Sequence, residues 1–306
     1  MRLNCAHRYR TISGFALARR PLVLAAALLT SLSACVSPPD STSDQAEPET
    51  PPVASSNARI AEALTSSLSG PDRLVTNEYA HWNPHATDAV RSPVWDLDSG
   101  SLFVRNGVGW SGPIERGPVD AVSRTGTNSA VFRAALRFEV PRDVVFSGRF
   151  KVIRIAAPPA FTASAATRTT APAARDVSQR NSDWEGLHLW LRYRSPQDLY
   201  VVSIARHDGL VTIKRKRPGG PVNGGTYTTL ASAHAGIAPG AFRSVAVSAR
   251  DDDAGTHVSL VIDGVRVLTA HDPSGDSAPS PGTVGIRGDD TEFEFTDISV
   301  VPAPGS

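Results

Sequence analysis

The chain has 306 residues, with 31 basic and 30 acidic side chains, 24 glycines, 24 prolines, two cysteines and one methionine. The near balance of charge, and the lack of a basic block interleaved with aromatics, argue against a nucleic-acid partner. Two cysteines cannot staple a disulfide scaffold, and scarce helical periodicity with many turn residues favours a β-rich globular part.

The first 34 residues read as a lipoprotein signal peptide. Arg2, Arg8, Arg10, Arg19 and Arg20 precede an apolar run from Pro21 to Ala34, with no acid among them. The run has the length of a signal core and is short for a membrane span. It ends in Leu32-Ser33-Ala34-Cys35, which resembles the bacterial lipobox, so Cys35 is the expected lipidation site. A plain secretory signal followed by a stray cysteine is the alternative. Five basic residues leave with this segment, so the remainder carries 26 basic against 30 acidic residues, a net of −4. Residues 35–70 open with a stretch rich in Pro, Ser, Thr and acid that buries too little apolar surface to offset ordering. They are expected to form a disordered tether, with a short helix within 57–67 as its one structured element. The expected location is the extracytoplasmic face of the cell membrane.

From residue 71 to 302 short β runs follow one another, separated by Gly, Pro, Asp and Asn. Strands are expected over 101–107, 129–140, 144–155, 184–194, 199–207, 210–217, 227–232, 242–251, 256–272, 282–288 and 293–301. Asp208-Gly209 and Asp263-Gly264 suit type I′ hairpin turns. Residues 157–183 are rich in Ala, Thr and Pro and read as an insertion between neighbouring strands. Ten or more antiparallel runs in one domain imply a two-sheet sandwich or a barrel. Trp95 and Trp110, beside Pro and Gly turns, are expected to pack inside.

The stretch Trp184 to Arg194 carries the functional signal. Alternate strand residues face opposite ways. Leu187, Leu189, Leu191 and Tyr193 form one face, and His188, Trp190, Arg192 and Arg194 the other. Burying each leucine is worth roughly 1.5–3 kcal/mol, so the leucine face is expected inward. The next hairpin repeats the pattern. Tyr200, Val202, Ile204, Val211 and Ile213 face in, while Ser203, His207, Thr212, Lys214 and Lys216 face out. Flat rings stack on sugar C–H faces, and Arg, Lys and His donate to hydroxyls or carboxylates. His188, Trp190, Arg192, His207 and Lys214 are therefore the expected glycan-binding set, with Asn128 and Arg133 as further candidates. The alternative is a second small core, with these residues covered by residues 157–183 or by the N-terminal segment.

The run Gly186 to Lys216, with Val258 to Asp272 and Gly282 to Val301, resembles bacterial concanavalin A-like lectin/glucanase domains, of the family 16 glycoside hydrolase-like and laminin G-like kind. That resemblance implies an all-β jelly-roll sandwich of two antiparallel sheets over residues 71–302, with a polysaccharide as partner. The family 16 hydrolases use an E-x-D-x-(x)-E strand, which is missing here. Glu292 and Glu294 stand two apart, but in the closing strands, where the catalytic pair is not expected. The expected function is thus a non-catalytic carbohydrate-binding lipoprotein. The alternatives are a lyase using His188 as base and Arg192 to neutralise a uronate, a hydrolase in the same cleft, and a structural envelope protein with a protein partner. No cofactor is required by this reading. Related sandwiches often hold calcium between loops, and Asp251-Asp252-Asp253 and Asp289-Asp290 are the candidate carboxylates, unless they are simply solvated tips.

Overall fold

The computed structural model describes residues 53–114, 131–156, 183–273 and 282–304. Residues 1–52, with Cys35, lie outside that range, as do Asn128 and residues 157–182 of the expected insertion.

The described residues form two antiparallel sheets and two short helices. One sheet runs in the order β1 (Arg73–Asn77), β3 (Ser101–Arg105), β4 (Val108–Trp110), β15 (Thr291–Pro302), β6 (Val144–Ile155), β11 (Arg243–Asp252), β12 (Gly255–Ile262) and β13 (Val265–Asp272). The other runs β10 (Gly225–His234), β9 (Leu210–Val222), β8 (Asp198–Arg206), β7 (Gly186–Ser195), β14 (Thr283–Asp289), β5 (Val131–Leu136) and β2 (Trp95–Ser99). Successive strands of the chain cross between the sheets, from β5 to β6 to β7 and from β13 to β14 to β15. This is the jelly-roll sandwich.

Alternation in the central strands makes the core. Leu187, Leu189 and Leu191 of β7 and Tyr200, Val202 and Ile204 of β8 are fully buried with Phe146, Phe150, Phe293 and Phe295 of the facing sheet. Phe132 meets Phe293 edge to face at 5.2 Å. Helix α1 (Val53–Leu68) places Leu64 and Leu68 against this core, and the Ser67 hydroxyl accepts from the Trp95 indole at 3.0 Å. The helix therefore extends the one expected over 57–67 and takes up residues assigned to the tether. Its apolar positions Ile60, Leu64 and Leu68 recur every fourth residue, which puts them on one face.

Three departures from the sequence expectations have local causes. Arg192 has φ of 49°, and the pairing of β7 with β8 slips between Leu191 and Ser195. This bulge reverses the alternation. Arg192 is thereby carried away from His188 and Trp190, and Tyr193, expected in the core, joins them instead. The Arg192 guanidinium reaches Asp251 at 2.8 Å, Thr256 Oγ1 at 3.2 Å and Asp143 at 3.2 Å, tying β7 to the other sheet. Trp110 faces outward because its neighbour Gly109 takes the inward position. A Cβ there would stand 2.7 Å from the Phe295 ring. Asp263-Gly264 has positive φ at both residues, as a type I′ turn requires, but Asp208 does not. Gly209 N–H instead bonds Arg206 O at 3.0 Å, making a three-residue loop in which only Gly209 is left-handed.

Arg192 is 2% exposed, and its removal takes the inward partner from the half-buried carboxylates of Asp143 and Asp251. Arg192→Leu is expected to lower stability by about 3 kcal/mol in denaturant titration while leaving the outer face of β7 unchanged.

Candidate functional site

The outer face of the seven-stranded sheet gathers cations, carboxylates and rings. It takes Asp96 and Asp98 from β2, Arg133 from β5, and Arg287 and Asp289 from β14. His188, Trp190 and Tyr193 come from β7, Ser203 from β8, Thr212, Lys214 and Lys216 from β9, and Tyr227 from β10. Each of these positions alternates with a core residue, such as Leu97, Phe132, Ile286, Leu189, Val202 and Ile213.

The face curls over its own floor. β10 and β14 stand four strand spacings apart, about 19 Å along the sheet. Yet Arg287 Nη1 lies 3.4 Å from Tyr227 Oη. A sheet concave toward this side brings them together, and the bridge passes above His188 and Trp190. Trp190 is also covered by Tyr193, whose ring stacks on it at 4.7 Å and 5°. Trp190 is accordingly 4% exposed and packs with Leu199, Val201, Tyr193 and Tyr227 in a small cluster separate from the main core. Its indole N–H has no hydrogen-bond partner among the described residues. The more accessible rings are Tyr227, Tyr193 and Trp184, the last 42% exposed with the Arg287 guanidinium 5.7 Å from its ring centre.

A buried polar network forms the centre of the floor. Arg287 grips Asp289 with Nε at 2.6 Å and Nη2 at 3.0 Å. Burial alone would raise the Asp289 carboxyl, but Arg287 and then His188 hold it down to about 2. His188 Nε2 stands 3.4 Å from Asp289, and its Nδ1 lies 2.9 Å from Ser203 Oγ, which accepts from Thr212 at 2.9 Å. His188 Nδ1 thus shares a proton with the Ser203 hydroxyl, while Nε2 faces Asp289 without the alignment of a hydrogen bond. Burial pushes His188 below its usual range, with Asp289 offsetting part of that, so the ring is neutral. Both ring nitrogens face groups of the floor, Nδ1 toward Ser203 and Nε2 toward Asp289. With Arg192 turned toward the other sheet, the two groups of the lyase reading do not share a face.

The lysines are differently placed, Lys214 half-buried and Lys216 only 2% exposed. Lys216 donates to Pro196 O at 2.7 Å, with its ammonium 4.9 Å from the Tyr227 ring centre. Neither Lys214 nor Lys216 forms an ion pair with a carboxylate among the described residues. Burial, and then Arg287 and Arg133, push Lys216 down to about 8. Burial and Arg206 lower Lys214 as well, against a smaller opposing effect of Asp208. Arg206, rather than His207, is the end-of-strand group beside Lys214. β8 carries an extra residue opposite the Leu187–His188 step, and this bulge returns Ala205 to the core. His207 sits in the turn beyond, its N–H bonded to Glu185 O at 3.2 Å. Of the expected set, His188, Trp190 and Lys214 share the face, and Arg192 and His207 do not.

Two of the candidate calcium carboxylates have cationic partners. Asp251 is engaged by Arg192 and by Arg142 at 2.5 Å, and Asp289 by Arg287. Glu292 and Glu294 lie on the outer face of the other sheet. Glu292 accepts from Trp110 and Arg154, and Glu294 from Arg105 and Lys151. Burial alone would raise Glu294, but Arg105 and Lys151 outweigh it and hold it below its usual range.

No protein-family model matches the chain, and no curated protein matches it. Among solved structures it is similar to the carbohydrate-binding module CBM66 from Bacillus subtilis, with 12% identity and a TM-score of 0.43 over 67% of this chain and 94% of that one. It is also similar to a galectin-like protein of unknown function from Bacillus subtilis, with 11% identity and a TM-score of 0.42 over 67% and 88% of the two chains. A third is the VIP36 exoplasmic/lumenal domain in its Ca2+/Man3GlcNAc-bound form, with 13% identity and a TM-score of 0.42 over 70% and 86%. The strand order of the two sheets carries the fold assignment, and the side-chain geometry above carries the site.

Removing one partner of a buried ion pair leaves the other uncompensated. Asp289→Asn keeps the shape but strands Arg287, and is expected to cost about 3 kcal/mol of stability by chemical denaturation.

Proposed function

We propose that the concave face of the seven-stranded sheet binds an acidic polysaccharide without cleaving it, and that the chain is a lipoprotein held at the extracytoplasmic membrane surface through Cys35. The observation that carries the binding reading is the pair Lys214 and Lys216. Both ammonium groups are partly desolvated among Arg133, Arg206 and Arg287 and lack a carboxylate partner among the described residues. Cations crowded in this way gain from a negative ligand, because an opposite charge restores what burial removes. Tyr227, Tyr193 and Trp184 supply the flat apolar surfaces on which sugar rings stack. Trp190 supports Tyr193 from below, and its unpartnered indole N–H adds one donor to this side of the sheet. A neutral His188, buried between Ser203 and Asp289, suits a binding floor better than a catalytic base.

Affinity electrophoresis of the full-length protein in gels containing polygalacturonate or a neutral β-glucan tests the reading. Retardation is expected with the polyuronate, with about tenfold weaker retention in Lys214→Ala and in Tyr227→Ala, and Arg192→Leu retained as wild type. Equal retention by both polymers, or retention unchanged in both face variants, would overturn it. The same gels run from pH 7 to pH 9 carry a signed expectation. Lys216 is protonated below about 8 and neutral above, so polyuronate retention falls as pH rises through that value. For the anchor, Cys35→Ser is expected to abolish incorporation of labelled fatty acid and release the protein from the membrane fraction.

A further inference from the structure

We propose that Asp252, His257 and His271 form a surface site for a divalent transition cation of the zinc, nickel or copper type, on the outer face of the eight-stranded sheet. The inference does not depend on the glycan reading, which concerns the other sheet.

The strands themselves build the site. His257 on β12 and His271 on β13 are directly opposite in the ladder, and their rings stack at 4.6 Å and 20°. Asp252 ends β11, one turn away from β12, and its Oδ1 accepts from Ala254 N–H at 2.8 Å. That bond fixes the carboxylate and directs Oδ2 to His257 Nε2, 2.8 Å away. One ligand atom from each of the three residues lies within 4.8 Å of the other two. Ligands around a tetrahedral zinc ion stand about 3.4 Å apart, given bonds of about 2.1 Å. A small rotation of the exposed His271 side chain closes that difference.

Two further features point to a cation rather than to a chance cluster. His257 Nε2 is buried, and its approach to Asp252 lacks the alignment of a hydrogen bond. His271 Nε2 lies 3.0 Å from Ala254 O, to which it donates in the neutral ring, leaving Nδ1 unprotonated. A metal-ligating imidazole is oriented in the same way, by giving its other N–H to a backbone carbonyl. Two imidazoles and one carboxylate suit Zn2+, Ni2+ or Cu2+ and not calcium, which prefers an all-oxygen shell. Arg250, opposite His257 on β11, is the nearby cation that a bound metal must tolerate, and it is exposed to solvent. The ion would clip the edge strand β13 to the β11–β12 hairpin.

Calorimetric titration of the full-length protein with Zn2+, paired with thermal unfolding, tests the proposal. Because cysteines and other histidines can bind zinc, the comparison is with His271→Gln, His257→Ala and the control His234→Ala. Wild type and His234→Ala are expected to bind one tight equivalent and to melt at higher temperature with zinc. His271→Gln and His257→Ala should weaken that equivalent by tenfold or more and lose the zinc-dependent rise. No tight equivalent in the wild type, or one retained in His271→Gln with its zinc-free melting temperature intact, would overturn the assignment. If His257→Ala fails to fold, His271→Gln on the exposed edge strand decides alone.

Discussion

The alternation of β7 is the constraint on which the rest of this structure depends. Leu187, Leu189 and Leu191 can satisfy the core only in one register, since a slip by one residue would expose all three. Their burial against Phe293, Phe295 and the aliphatics of the facing sheet leaves His188 and Trp190 no direction but outward. Everything on the concave face is arranged around those two side chains. Asp289 meets His188 from the neighbouring strand β14, and Ser203 meets it from β8. Trp190 is roofed by Tyr193, which the Arg192 bulge delivers to that side.

The two cation classes on this face do different things. Arg287 is paired with Asp289, and that ion pair with neutral His188 is a buried structural unit. Lys214 and Lys216 have no carboxylate partner among the described residues and are pressed downward in pKa by burial and by the guanidinium groups around them. Holding charge in that setting works against the fold, and the proposed anionic ligand would relieve it. The rim of the sandwich shows the opposite arrangement. Arg217 and the Tyr200 hydroxyl both bind Asp272, and Arg192 joins Asp143 and Asp251, so these cations are spent on holding the sheets together.

Much of the strand pattern was legible from alternation and turn residues. β6 spans the expected residues 144–155, and Asp263-Gly264 closes the expected I′ hairpin. Asn106-Gly107 and Asn223-Gly224 carry the same paired positive φ and could have been found by the same rule. The bulges were not legible. Nothing in Leu191-Arg192-Tyr193 announces a left-handed arginine, yet that single residue exchanges Arg192 for Tyr193 on the face. A second bulge exchanges His207 for Arg206. Arg287, Asp289 and Tyr227 were missed for another reason: they come from strands far apart in sequence, and only the pairing of β14 beside β7 and the curl of β10 bring them to His188 and Trp190. The nearest available signal was Asp289 itself, read as a hairpin tip when it is an alternate residue of β14.

Lys151, Lys214 and Lys216 are the only lysines in the chain, and Lys151 is paired with Glu294 on the other sheet. Side-chain nitrogen NMR of the three ammonium groups, followed through pH with and without an oligogalacturonate, reads whether these two lysines hold the ligand. The oligogalacturonate is expected to raise the Lys216 pKa from about 8 and to move the Lys214 signal while Lys151 stays unchanged. Identical titration of all three with and without the ligand would contradict it.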